Sequence, residues 1–280
     1  MIYLNPEVKT SDNEDTFWDW AERVFPKSSF CVPTKLNDND IVLRYSTLGF
    51  LPVAGKSVAL CWEMYPQMQK LYFNDQYAIG KLQRINETAR YCTYRSVATE
   101  QNADYYKRFG SVEVIPIGVD TDFWKPINNK KELRDKYNIP LGKRVGIWVE
   151  SLHHMKGFAN LLQYVSQNPD IFFVIVIGRN NKSLMNFPNS NIFMDISQKI
   201  LVELMQLSDF YLCTNRLSSY YMADWEAMSC NLPFEYWTEV KPEFIVESNP
   251  RDLVFQHKWS RELVQRKWEN FFDQHGIEYR

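Results

Sequence analysis

The alternation of apolar and polar positions divides the chain into short strands and amphipathic helices that follow one another in regular succession. Ile2-Tyr3-Leu4 reads as a short strand. Residues 14–25 then place Phe17, Trp18, Trp20, Ala21 and Val24 at helical spacing, with Pro26 as the stop. Residues 40–45 and 57–62 have the composition of buried strands, residues 75–89 and 100–108 that of helices, and Thr99 stands as the N-cap of the second helix. The second half repeats the theme. Residues 131–137 predict a short charged helix, 144–149 a strand, 158–165 a helix, and 171–177 (IFFVIVI) a central strand covered on both faces. Residues 191–196 predict a further strand, and Ser197 caps a helix to about Leu207 with Ile200, Leu201, Leu204 and Met205 on its apolar side. A strand at 209–214 follows, and a terminal helix at 259–272 would dock through Leu263, Trp268, Phe271 and Phe272.

Strands alternating with helices imply an α/β fold built on largely parallel sheets with covered faces. The 280 residues are enough for two lobes of ordinary domain size. Residues 112–126, VEVIPIGVDTDFWKP, fit the junction between them. Val112, Val114 and Pro116 continue a half-buried strand, Gly118 supplies a tight turn, and Phe123 and Trp124 precede a proline-marked linker. On pattern alone the segment is equally an ordinary loop.

Composition narrows the class. A hydrophobic share of 45% and a charged share of 24% are those of a soluble globular protein. The net charge of −2 gives no global attraction to nucleic acid or anionic membrane, although a local basic groove stays open. Five cysteines without a C-x-x-C spacing read as free thiols in a reducing compartment. No apolar run reaches the roughly 18 residues of a membrane span, and the N-terminal residues lack the pattern of a signal peptide, so a cytoplasmic location is expected.

In a parallel sheet, ligands collect outside the carboxyl ends of the strands. That rule picks out Tyr45-Ser46-Thr47 and Glu63-Met64-Tyr65 in the first half, where Glu63 is either an acceptor-side carboxylate or a solvated loop charge. In the second half the order of strand, loop (residues 150–158) and helix makes a ready anion site, with Lys156 before the predicted helix start. Free N–H groups at such a start favour an anion, but a lysine there is also an ordinary surface residue. Glu226, on a predicted helix, is by itself a solvated charge.

Three segments in order carry a resemblance. IPIGVDTDFWKP is similar to a P-x-G-V-D-x-x-x-F-x-P crossing segment; Glu150 to Gly157 is similar to G-R-L-x-x-x-K-G, with Leu152, Lys156 and Gly157 matching; SSYYMADWEAMSCNLP at 218–233 is similar to E-G-F-G-L-x-x-x-E-A-M-A-C-G-x-P, with Glu226, Ala227, Met228, Cys230 and Pro233 in register. Together they resemble family 4 glycosyltransferases over roughly residues 99–233. The chain departs from that pattern at Glu150 (glycine in the family), Ser151 (arginine), Ser218 (glutamate), Ser219 and Tyr221 (glycines) and Asn231 (glycine).

The resemblance implies the GT-B fold: two Rossmann-like β/α/β domains facing each other across a cleft. It implies an acceptor-side domain at 1–122, a nucleotide-sugar domain at 123–258 and a terminal helix at 259–280. The implied activity is retaining transfer of a sugar from a nucleotide-sugar, expected to be a UDP-sugar, to a hydroxyl on a glycan or lipid-linked sugar. Lys156 would neutralise the leaving diphosphate, and Glu63 is the acceptor-side catalytic candidate. Glu226 would hold the ribose, and Gly157, Ser151, Ser218, Ser219, Tyr220 and Gly118 would complete the donor site. His153, His154 or Arg179 would stand in for the missing phosphate arginine, and Asp224 or Glu235 for the glutamate missing at 218. No cofactor or metal is expected. The short first lobe also resembles compact virus-encoded enzymes, some of which glycosylate modified DNA bases. For such an acceptor Lys70, Lys81, Arg84, Arg90 and Arg95 are candidate phosphate contacts, or else solvated helix charges. A non-catalytic binding module derived from such an enzyme is the third expectation, motivated by the two lost side chains.

Overall fold

The computed structural model describes residues 2–5, 24, 36–45, 55–62, 76–152, 156–178, 187–215, 222–238, 249–256 and 259–277. The chain divides into two compact units, residues 1–117 together with 261–280, and residues 118–260. Among the described residues, each is organised on a five-stranded sheet in which every pairing is parallel. Of the helix expected at 14–25 only Val24 lies within the described residues, where it is helical and buried.

In the first unit the strands β1 (Ile2–Asn5), β2 (Ile41–Tyr45), β3 (Lys56–Leu60), β4 (Tyr94–Val97) and β5 (Val112–Val114) lie in sequence order. Helix α1 (Gln76–Tyr91) and helix α2 (Glu100–Tyr106) flank β4 in the chain, and the Thr99 side chain accepts from the Asn102 amide 3.3 Å away as the N-cap. Ala59 and Cys61 pack against Ile85, Ala89, Ala103 and Tyr106 of these helices in one apolar core. Such burial is worth roughly 25 cal/mol per Å² of apolar surface, and it outweighs the modest helix propensity of β-branched and polar residues in α1.

The second unit begins at Gly118 and holds α3 (Lys131–Lys136), β6 (Val145–Glu150), α4 (Phe158–Gln167), β7 (Phe172–Ile177), β8 (Ser190–Met194), α5 (Gln198–Leu207), β9 (Phe210–Cys213), α6 (Met222–Ser229), β10 (Phe234–Tyr236) and α7 (Pro250–Gln256). Its strand order is β10-β9-β6-β7-β8. Trp148, Phe173, Ile175, Ile177, Phe210 and Leu212 form one face, covered by Leu161, Tyr164 and Val165 of α4. Tyr211 and Cys213 occupy the alternate positions of β9 and face α6 instead. All six residues of β7 are buried, as the apolar run predicts. The last helix, α8 (Arg261–Gln274), belongs to the first unit, where Phe271 meets Tyr94 edge-on at 5.3 Å and the Lys56 ammonium donates to the His275 carbonyl at 2.8 Å.

Two apolar stripes differ from expectation by a step in helical phase. On α5 the buried positions are Val202, Leu204, Met205 and Leu207, with Ile200 and Leu201 half-buried; on α8 Val264 is buried in place of Leu263. Four cysteines, Cys61, Cys92, Cys213 and Cys230, are buried free thiols, and Cys31 lies outside the described residues. No helix among the described residues is long and apolar enough to cross a membrane.

Candidate functional site

The strand order of the second sheet reverses at β6: the chain moves outward through β7 and β8, then returns to β9 on the other side. A crevice forms at such a reversal because the connections leaving β6 and β9 run to opposite sides, and ligands of parallel sheets collect there. The carboxyl ends that meet at this point are Glu150 of β6 and Cys213 of β9, followed by Thr214 and Asn215.

Gly157 is the N-cap of α4 and has φ 72° and ψ 34°, the left-handed region that glycine alone occupies without strain. A Cβ there would sit 1.8 Å from the Thr214 carbonyl oxygen, so the loop from β6 rests directly on the backbone that leaves β9. Thr214 locks the contact: its hydroxyl donates to the Lys156 carbonyl at 3.0 Å and accepts from the Trp148 indole N–H at 2.8 Å. The Leu161 amide closes the first turn of α4 onto the Gly157 carbonyl at 3.0 Å. The backbone at Lys156 is therefore fixed by residues far away in sequence.

The Lys156 side chain is held as well. Its ammonium lies 3.1 Å from one Glu150 carboxylate oxygen and 3.5 Å from the other. Both side chains are mostly enclosed, the lysine 20% and the glutamate 11% exposed. The charges of Asp224, Glu150 and Lys156 all act on the Cys213 thiol, which burial first of all, and then the two carboxylates, push well above its ordinary pKa. Burial likewise raises Tyr211, whose hydroxyl is bonded to the Asp224 carboxylate. The Lys156–Glu150 pair and the Asp224 carboxylate thus both act on residues of β9.

Asp224 and Glu226 are both buried on α6, at 2% and 6% exposure. Residues two apart on a helix do not share a face, so with Asp224 turned to β9 the Glu226 side chain leaves from another side. Its charge acts on Cys230, one turn further along. Glu226 is not the solvated helix charge that the sequence alone allows, and α6 is enclosed on all sides. Asp224, a candidate replacement for the glutamate missing at 218, is engaged by the Tyr211 hydroxyl, and Glu150 and Thr214 were not among the expected site residues. For Thr214 the signal was present: the rule that ligands collect beyond the carboxyl ends of parallel strands applies equally to the end of the strand at 209–214.

Gly118 adopts φ 83° and opens the second unit. The next residue, Val119, donates its amide to the Trp259 carbonyl at 2.9 Å and bridges Ser260, so the two points where the chain enters and leaves this unit lie side by side. Arg251 of α7 ties the crossing segment down, donating to the carbonyls of Thr121 (2.8 Å) and Trp124 (2.9 Å) and to Ser229. The VDTDFW residues are anchoring residues in this arrangement. Ser151 follows β6 and is half-buried. Glu63, His153, His154, Arg179, Ser218, Ser219 and Tyr220 lie outside the described residues.

Two expectations are corrected. Arg95 is not a surface cation for nucleic acid: it is 4% exposed and donates to the carbonyls of Ala89 (2.6 Å), Cys92 (2.6 Å) and Thr93 (3.0 Å), closing the end of α1. Arg84 and Arg90 are exposed, while the Lys70 and Lys81 side chains lie outside the described residues. Glu235 cannot replace the glutamate absent at 218, because Arg144 and the Tyr164 hydroxyl both bind its carboxylate. Two Asp-x-Asp triplets occur in the chain, at 38–40 and 120–122. Asp40 accepts from the Asn37 amide, and Asp120 from the amides of Asp122 and Phe123, so both close local turns. Among the described residues no three His, Cys, Asp or Glu side chains converge as metal ligands.

Comparison with solved structures defines the fold. HepE from Anabaena, in complex with UDP-glucose, matches 99% of this chain and 95% of its own with a TM-score of 0.60 at 12% identity. WaaG, a glycosyltransferase involved in lipopolysaccharide biosynthesis, matches 99% and 92% with a TM-score of 0.57 at 14% identity. Sucrose-phosphate synthase from Thermosynechococcus elongatus matches 84% and 72% with a TM-score of 0.58 at 14% identity. The chain has the GT-B fold shared by these proteins. No protein-family model matches the sequence, and no curated protein matches it significantly.

Proposed function

We propose that the protein is a retaining glycosyltransferase that moves a sugar from a UDP-sugar to a hydroxyl of a glycan or lipid-linked sugar. The observation that carries this reading is Lys156–Gly157 at the start of α4, on the switch point of a sheet whose fold is shared with HepE in its UDP-glucose complex. In the reaction the bond between the anomeric carbon and the diphosphate oxygen breaks, and both electrons leave with the diphosphate. The acceptor oxygen bonds to the anomeric carbon on the same face, and its proton passes to a base or to the departing phosphate. Charge develops on the diphosphate, beside the first amides of α4 and the Lys156 ammonium. Donors preorganised at such a position lower the barrier without reorganisation. Glu226 serves the nucleotide ribose in this reading, since a carboxylate accepts two hydroxyl hydrogen bonds. The protein acts in the cytoplasm and uses no metal.

The experiment is mass spectrometry of reactions pairing a panel of nucleotide-sugars with glycan, lipid-linked and hydroxymethylated DNA acceptors. A UDP-sugar with a carbohydrate acceptor should give a product heavier by one glycosyl residue. Product on DNA alone would replace the acceptor assignment. Neither product nor donor hydrolysis with any nucleotide-sugar would leave only a binding module. Lys156→Ala should slow transfer by about 100- to 1,000-fold, the usual cost of removing one preorganised donor. Near wild-type turnover in a folded Lys156→Ala protein would place the phosphates elsewhere.

A further inference from the structure

We infer that Glu150 sets the affinity and release of the nucleoside diphosphate by competing with it for Lys156. The inference rests on the proposed donor site. Lys156 has its backbone fixed by Thr214 and its ammonium within 3.5 Å of both Glu150 oxygens. A diphosphate placed at the start of α4 must share or take that ammonium. Glu150 sits at the last position of β6, in a strand whose register is set by six consecutive pairs with β7, so the backbone that carries its carboxylate is fixed. With 11% of its side chain exposed, water screens it weakly, and the Asp224 carboxylate accepts from the hydroxyl of Tyr211 on the neighbouring strand β9. The diphosphate therefore meets a lysine that is already partly neutralised and a carboxylate that repels it.

The consequence is a trade between capture and release. In a transferase whose product is a tightly held diphosphate, release often limits turnover. A carboxylate that reclaims the lysine speeds release and holds the ammonium in one place while the site is empty. Glu150 acts through Lys156 and does not touch the reacting atoms, so it is a positioning residue.

The test is calorimetry of UDP, GDP and ADP with the full-length wild type, Glu150→Gln and Glu150→Asp, alongside steady-state kinetics. Glu150→Gln keeps the shape and a hydrogen-bonding oxygen but removes the charge. It should bind the preferred diphosphate about tenfold more tightly, lower KM and lower kcat, with stronger weakening by salt than in wild type. Glu150→Asp draws the charge back by one methylene and should fall between the two, and it carries the test if Glu150→Gln does not fold. A merely structural glutamate would give weaker binding in both variants. Equal or weaker binding by the variants, with wild type still binding a diphosphate, overturns this inference and leaves the transferase reading standing. Binding by none of the three proteins overturns both.

Discussion

Single residues decide the candidate site through steric and electrostatic margins that can be stated. Gly157 combines a left-handed backbone with a contact that leaves no room for a methyl group. Gly157→Ala should destabilise the second unit by roughly 1–2 kcal/mol from the backbone alone, and by a further ~1–3 kcal/mol from displacement against Thr214. Urea denaturation followed by tryptophan fluorescence measures it, since Trp148 donates to Thr214 at the point of strain. A change below about 0.5 kcal/mol, the usual size for an ordinary surface substitution, would show that the loop is not seated as described. The lysine and glycine were legible in the sequence because they sit together in a recognisable segment. For Thr214 the strand end was legible but the contact was not: its bond to Lys156 joins residues 58 apart, and such a contact exists only once β6 and β9 are neighbours. Glu150 was visible only as a departure from a pattern. Its partner turned that departure into a chemical statement.

At the scale of elements, strands were easier to read than helix faces. A continuous apolar run such as Phe172–Ile177 has one interpretation in an α/β chain, and all of it is buried. On α5, by contrast, six of ten residues are apolar, so several stripes fit the sequence and tertiary packing alone selects Val202 and Leu207 over Ile200 and Leu201. Charged residues deceive for the opposite reason. Arg95 reads as a surface cation, yet its planar head suits the orphan carbonyls where α1 ends, and a cation there also meets the negative end of the helix dipole. Arg95→Leu should destabilise the first unit by about 1.5–3 kcal/mol, the range for hydrogen bonds to a charged group, while leaving any affinity for hydroxymethylated DNA unchanged. Chemical denaturation and a filter-binding titration check the two halves separately. Lost DNA binding in a fully stable variant would return Arg95 to the surface.

For the whole molecule, the chain divides at residues 117/118 and 260/261, and within the second unit half-buried carboxylates carry electrostatic support. Burial by itself would raise the Asp209 carboxyl; the Val145 amide, the Arg134 guanidinium and the Lys130 ammonium outweigh burial and hold it below its ordinary 3.8. Arg134 reaches it at 2.8 Å, Lys130 at 3.1 Å and the Val145 amide at 2.8 Å, so one side chain joins α3 to the starts of β6 and β9. Glu203 is lowered too, chiefly by Lys136 and Tyr137. A group whose folded pKa lies below its unfolded one binds protons more readily in the unfolded chain. Its contribution is therefore complete above the unfolded value and is lost as pH falls through the folded one. Asp209→Asn should reduce stability near pH 7, and the gap from wild type should close as the pH falls below 3.8. Urea midpoints at pH 7, 5, 4 and 3 give the comparison. A gap that persists unchanged to pH 3 would assign the loss to packing and not to the carboxylate charge.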